Sequence, residues 1–241
     1  DDGWRTAADL SSKGIKITAI VDTRNSPQQT VVSDTNIITN GRIVDTHGRL
    51  GIRSFTLSTG QTIKADCLAV SGGWNPNIHL TCHQGGRPIW REDIAAFVPG
   101  NDLPTGMSVA GAANGILTLA AGFNDGHSAG MKAADELGFK VPNSRTPKAE
   151  DEDCGIEAFW QVKETKKRAW IDLQNDVTTK DVEIAYREGF KSVEHLKRYT
   201  TLGMATDQGK TANVLGIGVL AECSGKSIED TGTTTFRQPY T

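Results

Sequence analysis

The run Ile15-Lys16-Ile17-Thr18-Ala19-Ile20-Val21-Asp22 decides the fold. It is rich in β-branched residues, ends on an acid and follows Gly14. Upstream, Asp2-Gly3-Trp4-Arg5-Thr6-Ala7-Ala8-Asp9-Leu10 reads as the opening of a helix, and Gly14 is the residue type that closes one in the left-handed conformation. Helix, glycine, apolar strand and terminal acid form the second half of a βαβ dinucleotide-binding unit. The first strand and its glycine-rich turn are then expected upstream, so the chain reads as an internal piece of a longer protein. Asp22, at the strand end, is a candidate for a ribose hydroxyl.

Working outward, residues 36–39 and 42–46 read as short strands, and residues 51–58 pair with 62–70 through the turn Thr59-Gly60-Gln61. That last strand runs into Ser71-Gly72-Gly73-Trp74-Asn75-Pro76-Asn77, a glycine-proline turn. Met107-Ser108-Val109-Ala110 reads as a strand entering Gly111-Ala112-Ala113-Asn114-Gly115, with a helix over 117–137 closed by Gly138. Small residues at the start of a helix let a phosphate-bearing ligand reach unpaired N–H groups, although the same glycines also suit plain packing. Residues 140–168, with prolines, a basic patch and the acidic run Asp151-Glu152-Asp153, read as a linker. From 169 to 241 the chain reads as a small, mostly helical module. Thr178 or Thr179 caps one helix with Asp181 in its first turn, ending at Gly189; Ser192 caps a second over 193–199; a third spans 210–223.

The chain has 241 residues, 37% hydrophobic and 23% charged, and a formal net charge of −3. That balance gives no electrostatic case for nucleic acid or an anionic membrane, and no apolar run could span a bilayer. Cys67, Cys82, Cys154 and Cys223 are widely spaced, as reduced thiols in a cytoplasmic protein would be. Cys67 lies in the apolar strand and is expected to be buried. The cluster His79-Leu80-Thr81-Cys82-His83 has metal-ligand chemistry but no evident fourth ligand, so no metal is assigned. His195 lacks an orienting partner, and no catalytic acid or base stands out.

The string Ala65-Asp66-Cys67-Leu68-Ala69-Val70-Ser71-Gly72-Gly73-Trp74-Asn75-Pro76-Asn77, followed by Met107-Ser108-Val109-Ala110-Gly111-Ala112-Ala113-Asn114-Gly115, is similar to the end of the two-dinucleotide-domain flavoproteins such as thioredoxin reductase. Ala112 stands where that family has an aspartate. The stretch from Asp172 to Tyr240, with Arg187-Glu188-Gly189-Phe190 and Ser192-Val193-Glu194-His195-Leu196-Lys197-Arg198-Tyr199-Thr200-Thr201, resembles the alpha subunit of heterotetrameric sarcosine oxidases. The fold implied is α/β: a partial thioredoxin-reductase-like fold followed by a bacterioferritin-associated-ferredoxin-like module. Where that module's relatives carry four cluster cysteines, this chain has Asp172, Gln174, Asp207 and Ala212. Carboxylate, amide and methyl groups cannot replace thiolates, so no iron–sulfur cluster is expected.

The resemblance further implies NAD at Gly111, Ala112, Leu117 and Leu119. It implies FMN at an alpha–beta interface, with Thr200, Thr201 and Lys210 of the loop 200–211 as candidates to meet it. FAD would sit in a beta subunit and tetrahydrofolate in a domain downstream, with gamma and delta subunits completing the assembly. The reaction implied is oxidation of sarcosine to glycine with hydrogen peroxide and methylene-tetrahydrofolate. Rival expectations are an NAD(P)H-dependent flavin oxidoreductase, the alpha subunit of a proline- or opine-type dehydrogenase, and a non-catalytic assembly subunit.

Overall fold

A computed structural model describes residues 1–27, 30, 32–140, 145–150 and 152–240. The parts of the linker reading that fall on 141–144 and Asp151, and Thr241 at the end, lie outside the described residues.

Helix α1 (Asp2–Ser12) buries Trp4 and Ala7. It ends in a Schellman turn: Ile15 N donates to Leu10 O at 3.1 Å and Gly14 N to Ser11 O at 2.9 Å, with Gly14 at φ +81°. The chain then enters β1 (Ala19–Val21), which pairs in parallel with β2 (Asn36–Ile38), Ala19 opposite Asn36. Helix, Gly14 and strand follow in the order expected from the run 15–22, while β1 and β2 are joined without a helix among the described residues. An antiparallel sheet follows, β3 (Ile43–His47), β4 (Ser54–Leu57) and β5 (Thr62–Lys64), in the order β3-β4-β5. Its inward face is Phe55, Leu57 and Ile63, all buried. Helix α2 (His79–His83) precedes the hairpin β6 (Ile89–Arg91) and β7 (Ala96–Val98). A 3-10 turn at Gly111–Asn114 leads to helix α3 (Leu119–Glu136), which buries none of its residues.

From residue 169 on, the described residues form the short strands β8 (Trp170–Asp172) and β9 (Val177–Thr178) and then helices joined by turns. A capping box starts α4 (Thr179–Arg187): Thr178 N donates to Asp181 Oδ2 at 2.7 Å and Thr178 Oγ1 to the same oxygen at 2.6 Å. Ser192 Oγ caps α5 (Val193–Thr200) by accepting from His195 N at 3.3 Å. Helix α6 (Asn213–Ser224) is apolar on all sides and buries Gly216 through Ala221, with α4 and α7 (Ile228–Thr231) packed on it. A helix that is apolar all round belongs at the centre of a core. That core collects Val182, Leu196, Leu202, Ile217 and Leu220, and it reaches back to Ile78, Cys82 and Phe97. An aromatic chain, Trp160–Trp90–Phe97–Phe236, joins the same two regions, with centroids 6.1, 5.1 and 5.7 Å apart.

Several expected boundaries move. The strand expected over 62–70 keeps its ladder only at Thr62–Lys64, and 107–110 is extended without a ladder. An apolar run becomes a strand only where a neighbour accepts its hydrogen bonds. Cys67 is consequently exposed instead of buried. The helix expected from 210 starts at Asn213, so Lys210 lies in the preceding turn, its N–H donating to Asp207 O at 3.1 Å.

Candidate functional site

The turn at 111–115 contains two glycines with different reasons to be there. Gly111 has φ +67°, and a Cβ added to it would meet nothing within 4 Å. Gly115 has φ +76°, and its added Cβ would fall 2.7 Å from Val98 Cγ1 and 2.9 Å from Ile94 Cδ1. Gly115 is therefore a packing glycine, whereas Gly111 leaves its backbone open to approach. Ala112 is exposed beside it. Leu117 packs against the small cluster Ile94, Ala96 and Val98, which fixes the turn on the β6–β7 hairpin. Leu119, 53% exposed, opens α3.

The donors at this turn already face carboxylates. Gly111 N donates to Asp125 Oδ2 at 2.7 Å, and Leu119 N to Glu152 Oε2 at 3.2 Å. Donors that hold a carboxylate are of the kind that hold a phosphate, and here both are taken by this chain's own carboxylates. An open cleft of 670 Å³ lies beside it, lined by Asp1 and Arg5 of the α1 start, Leu119 and Phe123 of α3, and Glu150 and Glu152. The size is within the range of ligand pockets.

Asp22 is in a different situation. Its carboxylate accepts from Trp4 Nε1 at 2.8 Å, Arg24 N at 2.9 Å, Arg24 Nε at 3.0 Å and Arg24 Nη2 at 2.8 Å. Burial opposes its ionisation, but the Arg24 and Trp4 hydrogen bonds outweigh that and hold its pKa at about 2. Arg24 also pairs with Asp1 at 2.8 Å. Asp22 is thus engaged by its own neighbours in this structure, and the sequence spacing gave no sign of Arg24 folding back onto it.

The second group of candidates surrounds the loop 200–211. Thr200 Oγ1 donates to Leu196 O at 2.8 Å and accepts from Leu202 N at 3.2 Å; Thr201, at φ +62°, donates to Thr200 O at 2.5 Å. Both hydroxyls close the end of α5, while Lys210 is exposed. The structure does not bring Thr200, Thr201 and Lys210 to the 111–119 turn; they belong to the module.

Three residues that sequence reading did not weigh as supports hold this loop. Asp172, 2% exposed, accepts from Gln174 N at 2.8 Å, Asn175 N at 3.1 Å and Gly203 N at 2.8 Å. Gln174 Oε1 accepts from Thr206 Oγ1 at 3.2 Å and Asp207 N at 3.3 Å. Asn213, also buried, donates to Gln208 O at 3.3 Å and accepts from Lys197 Nζ at 3.1 Å. The loop closes on Asn213 so tightly that a Cβ on Gly203 or Gly209 would fall 2.3 or 2.1 Å from its Oδ1. Burial pushes the Lys197 ammonium below its usual range, with Glu194 opposing the shift and Arg237 adding to it.

His79 and His83 lie on one face of α2, one turn apart. Burial lowers the pKa of His79, helped by Lys210 and His83. Among the described residues no group of three or more His, Cys, Asp or Glu side chains is placed to hold a metal ion, and no helix is long and apolar enough to cross a membrane.

The fold is a mixed α/β region followed by a small, mostly helical module. The solved structure of L-proline dehydrogenase from P.horikoshii superposes on it with a TM-score of 0.65 at 20% identity, over 86% of this chain and 43% of the other, which establishes likeness of fold. Residues 166–241 match the family model described as the sarcosine oxidase A3 domain. Over its whole length the chain is similar to sarcosine oxidase alpha subunits. It is 39% identical over 247 residues to that of Rhizobium meliloti (strain 1021) and 34% identical over 265 residues to that of Corynebacterium sp. (strain P-1). It spans about a quarter of the length of these relatives, 25% and 27%.

Proposed function

We propose that this chain is part of the alpha subunit of a sarcosine-oxidising flavoenzyme and that it supplies cofactor scaffold and subunit interface. The observation that carries this reading is the relation to sarcosine oxidase alpha subunits across the whole chain. In this reading residues 1–139 close the dinucleotide-binding region, 140–168 link, and 169–241 form the cluster-less module. NAD contacts Gly111, Ala112, Leu117 and Leu119, where open backbone and carboxylate-holding donors support it. The loop around Thr200, Thr201 and Lys210 faces a beta subunit and its FMN, supported by its closed, side-chain-braced shape and exposed lysine.

The chemistry proposed is that of the complete assembly. In that assembly FAD in a beta subunit would supply the oxidation of sarcosine, FMN a route for electrons to oxygen and tetrahydrofolate an acceptor for the one-carbon unit, in a cytoplasmic complex with gamma and delta subunits. When bound, NAD supplies a dinucleotide that fills the scaffold; this chain's residues only bind and orient it. The test is to assemble the complex from the complete alpha subunit and its partners and to assay sarcosine-dependent peroxide formation. Peroxide released only when sarcosine and the alpha subunit are both present supports the proposal. An assembled complex that turns over proline or an opine but not sarcosine would replace it.

A further inference from the structure

Helix α3 is the longest element of the chain, 18 residues, and it buries none of them. Its sequence is nevertheless amphipathic. Leu119, Phe123, Gly126, Gly130, Ala133 and Leu137 recur every three or four residues, fall on one stripe and are all exposed. Asn124, Ser128, Lys132 and Asp135 take the opposite side. A Cβ added to Gly126 or Gly130 would meet nothing within 4 Å. Glycine weakens a helix interior, so a helix that gains nothing from packing has no reason to carry two on its apolar face. They make sense where a neighbour comes closer than a side chain would allow.

The segment that feeds α3 is open too. Residues 107–110 are extended, with Ala110 at φ −140° and ψ 161°. The N–H groups of Ser108, Val109 and Ala110 find no backbone acceptor among the described residues. A strand leading into a helix, with the ladder of one and the face of the other unfilled, is half of a βα unit without its sheet. Another helix could cover the stripe but would leave the strand's N–H groups unpaired, whereas a sheet serves both. The sheets among the described residues hold two or three strands of at most five residues. Such strands are at most about 17 Å long, whereas α3 spans about 27 Å. A second copy of this chain therefore offers no sheet of the size needed. The chain matches 25% of the Rhizobium meliloti alpha subunit, so most of that polypeptide lies outside the matched stretch.

We propose that residues 107–110 and α3 are a docking surface for a parallel β-sheet built by the part of the alpha subunit outside residues 1–241. Strand 107–110 adds to the edge of that sheet, and the stripe from Leu119 to Leu137 lies on its face, with the sheet closest at Gly126 and Gly130. The proposal rests on the reading of this chain as part of such a subunit and is independent of any dinucleotide.

The test is made on the complete alpha subunit in its assembled complex. Benzoylphenylalanine in place of Phe123 is photolysed, and the cross-linked peptides are identified by mass spectrometry. The expected cross-links join Phe123 to a stretch of the same polypeptide outside residues 1–241. Cross-links to another subunit or to a second alpha chain, or cross-links confined to residues 1–241, overturn the proposal. Gly126→Ala and Gly130→Ala are compared with Ser128→Ala by thermal unfolding of the same complex. A bare α3 gains from both glycine replacements, as helix propensity dictates. A covered α3 loses, because each added methyl meets the sheet. The melting temperature is expected to fall by a few degrees in both glycine variants and to stay at or above the wild-type value in Ser128→Ala. A rise in the glycine variants overturns the proposal. Sarcosine-dependent peroxide formation by the same preparations keeps the two readings apart. A complex that oxidises sarcosine while its cross-links go elsewhere removes the docking surface alone. One that cross-links as expected without sarcosine turnover removes the functional reading alone.

Discussion

Asp172 holds the module's loops by charge instead of by bulk. Its buried carboxylate accepts three backbone N–H groups from two segments 31 residues apart in sequence at the longest link. Charge-assisted bonds of this kind are stronger than neutral ones, and removing the acceptor strands buried donors. Asp172→Ala is expected to lower stability by about 3 kcal/mol in urea unfolding, and Asp172→Asn by roughly half of that, because one amide oxygen still accepts. Equal stability of all three proteins would mean that the loop is held elsewhere. Asp22 carries a pH signature. Its folded pKa of about 2 lies below the ordinary 3.8, so its contribution to stability is present above about pH 4 and is lost as pH falls towards 2. Asp22→Asn should therefore flatten the fall of the melting temperature across that window, as thermal unfolding at a series of pH values would read.

At the scale of elements, helix ends were legible because their chemistry is local. Gly14, Gly138 and Gly189 each close a helix with the same pair of bonds, as Phe139 N to Ala134 O at 3.0 Å and Phe190 N to Ala185 O at 2.9 Å illustrate. The caps at Thr178 and Ser192 were legible for the same reason. Strand ends were not, because a ladder depends on a neighbour that no local pattern specifies; residues 65–70 and 107–110 show this. The turn at 111–115 could be picked out by its glycines, but only packing separates open Gly111 from crowded Gly115. The clasp of Arg24 on Asp22 and the reach of Glu152 to Leu119 are contacts of tertiary structure and left no periodic trace. Within α6, Gly216 and Gly218 admit Leu202 and Trp160; a Cβ on Gly218 would lie 2.3 Å from the indole. Gly218→Ala is expected to cost about 2 kcal/mol through overpacking and to shift the tryptophan emission as Trp160 is displaced. An unshifted spectrum with unchanged stability would contradict this packing.

At the scale of the whole molecule, two regions divide the proposed work. The first half presents an open turn beside a cleft, and the module presents a braced loop whose core reaches back to Ile78, Cys82 and Phe97. Because Asp172, Gln174, Asp207 and Ala212 offer no thiolate, the purified chain should contain no stoichiometric iron or acid-labile sulfide. Metal analysis checks this, and a full complement of both would overturn it. Lys210→Ala in the assembled complex is expected to lower FMN retention while leaving the melting temperature unchanged. Unchanged flavin content would confine Lys210 to the turn. The central claim, that the 111–119 turn holds the dinucleotide, is tested most directly by the NAD content of the assembled complex with and without Ala112→Glu. A glutamate at 112 would add a second carboxylate, and its bulk, beside Gly111, whose N–H already holds Asp125 Oδ2, and the added charge would repel a pyrophosphate. The account predicts stoichiometric NAD in the wild-type complex and loss of at least about nine-tenths of it in the variant, since a tenfold change needs only about 1.4 kcal/mol of repulsion. Full NAD content in the Ala112→Glu complex would place the dinucleotide elsewhere.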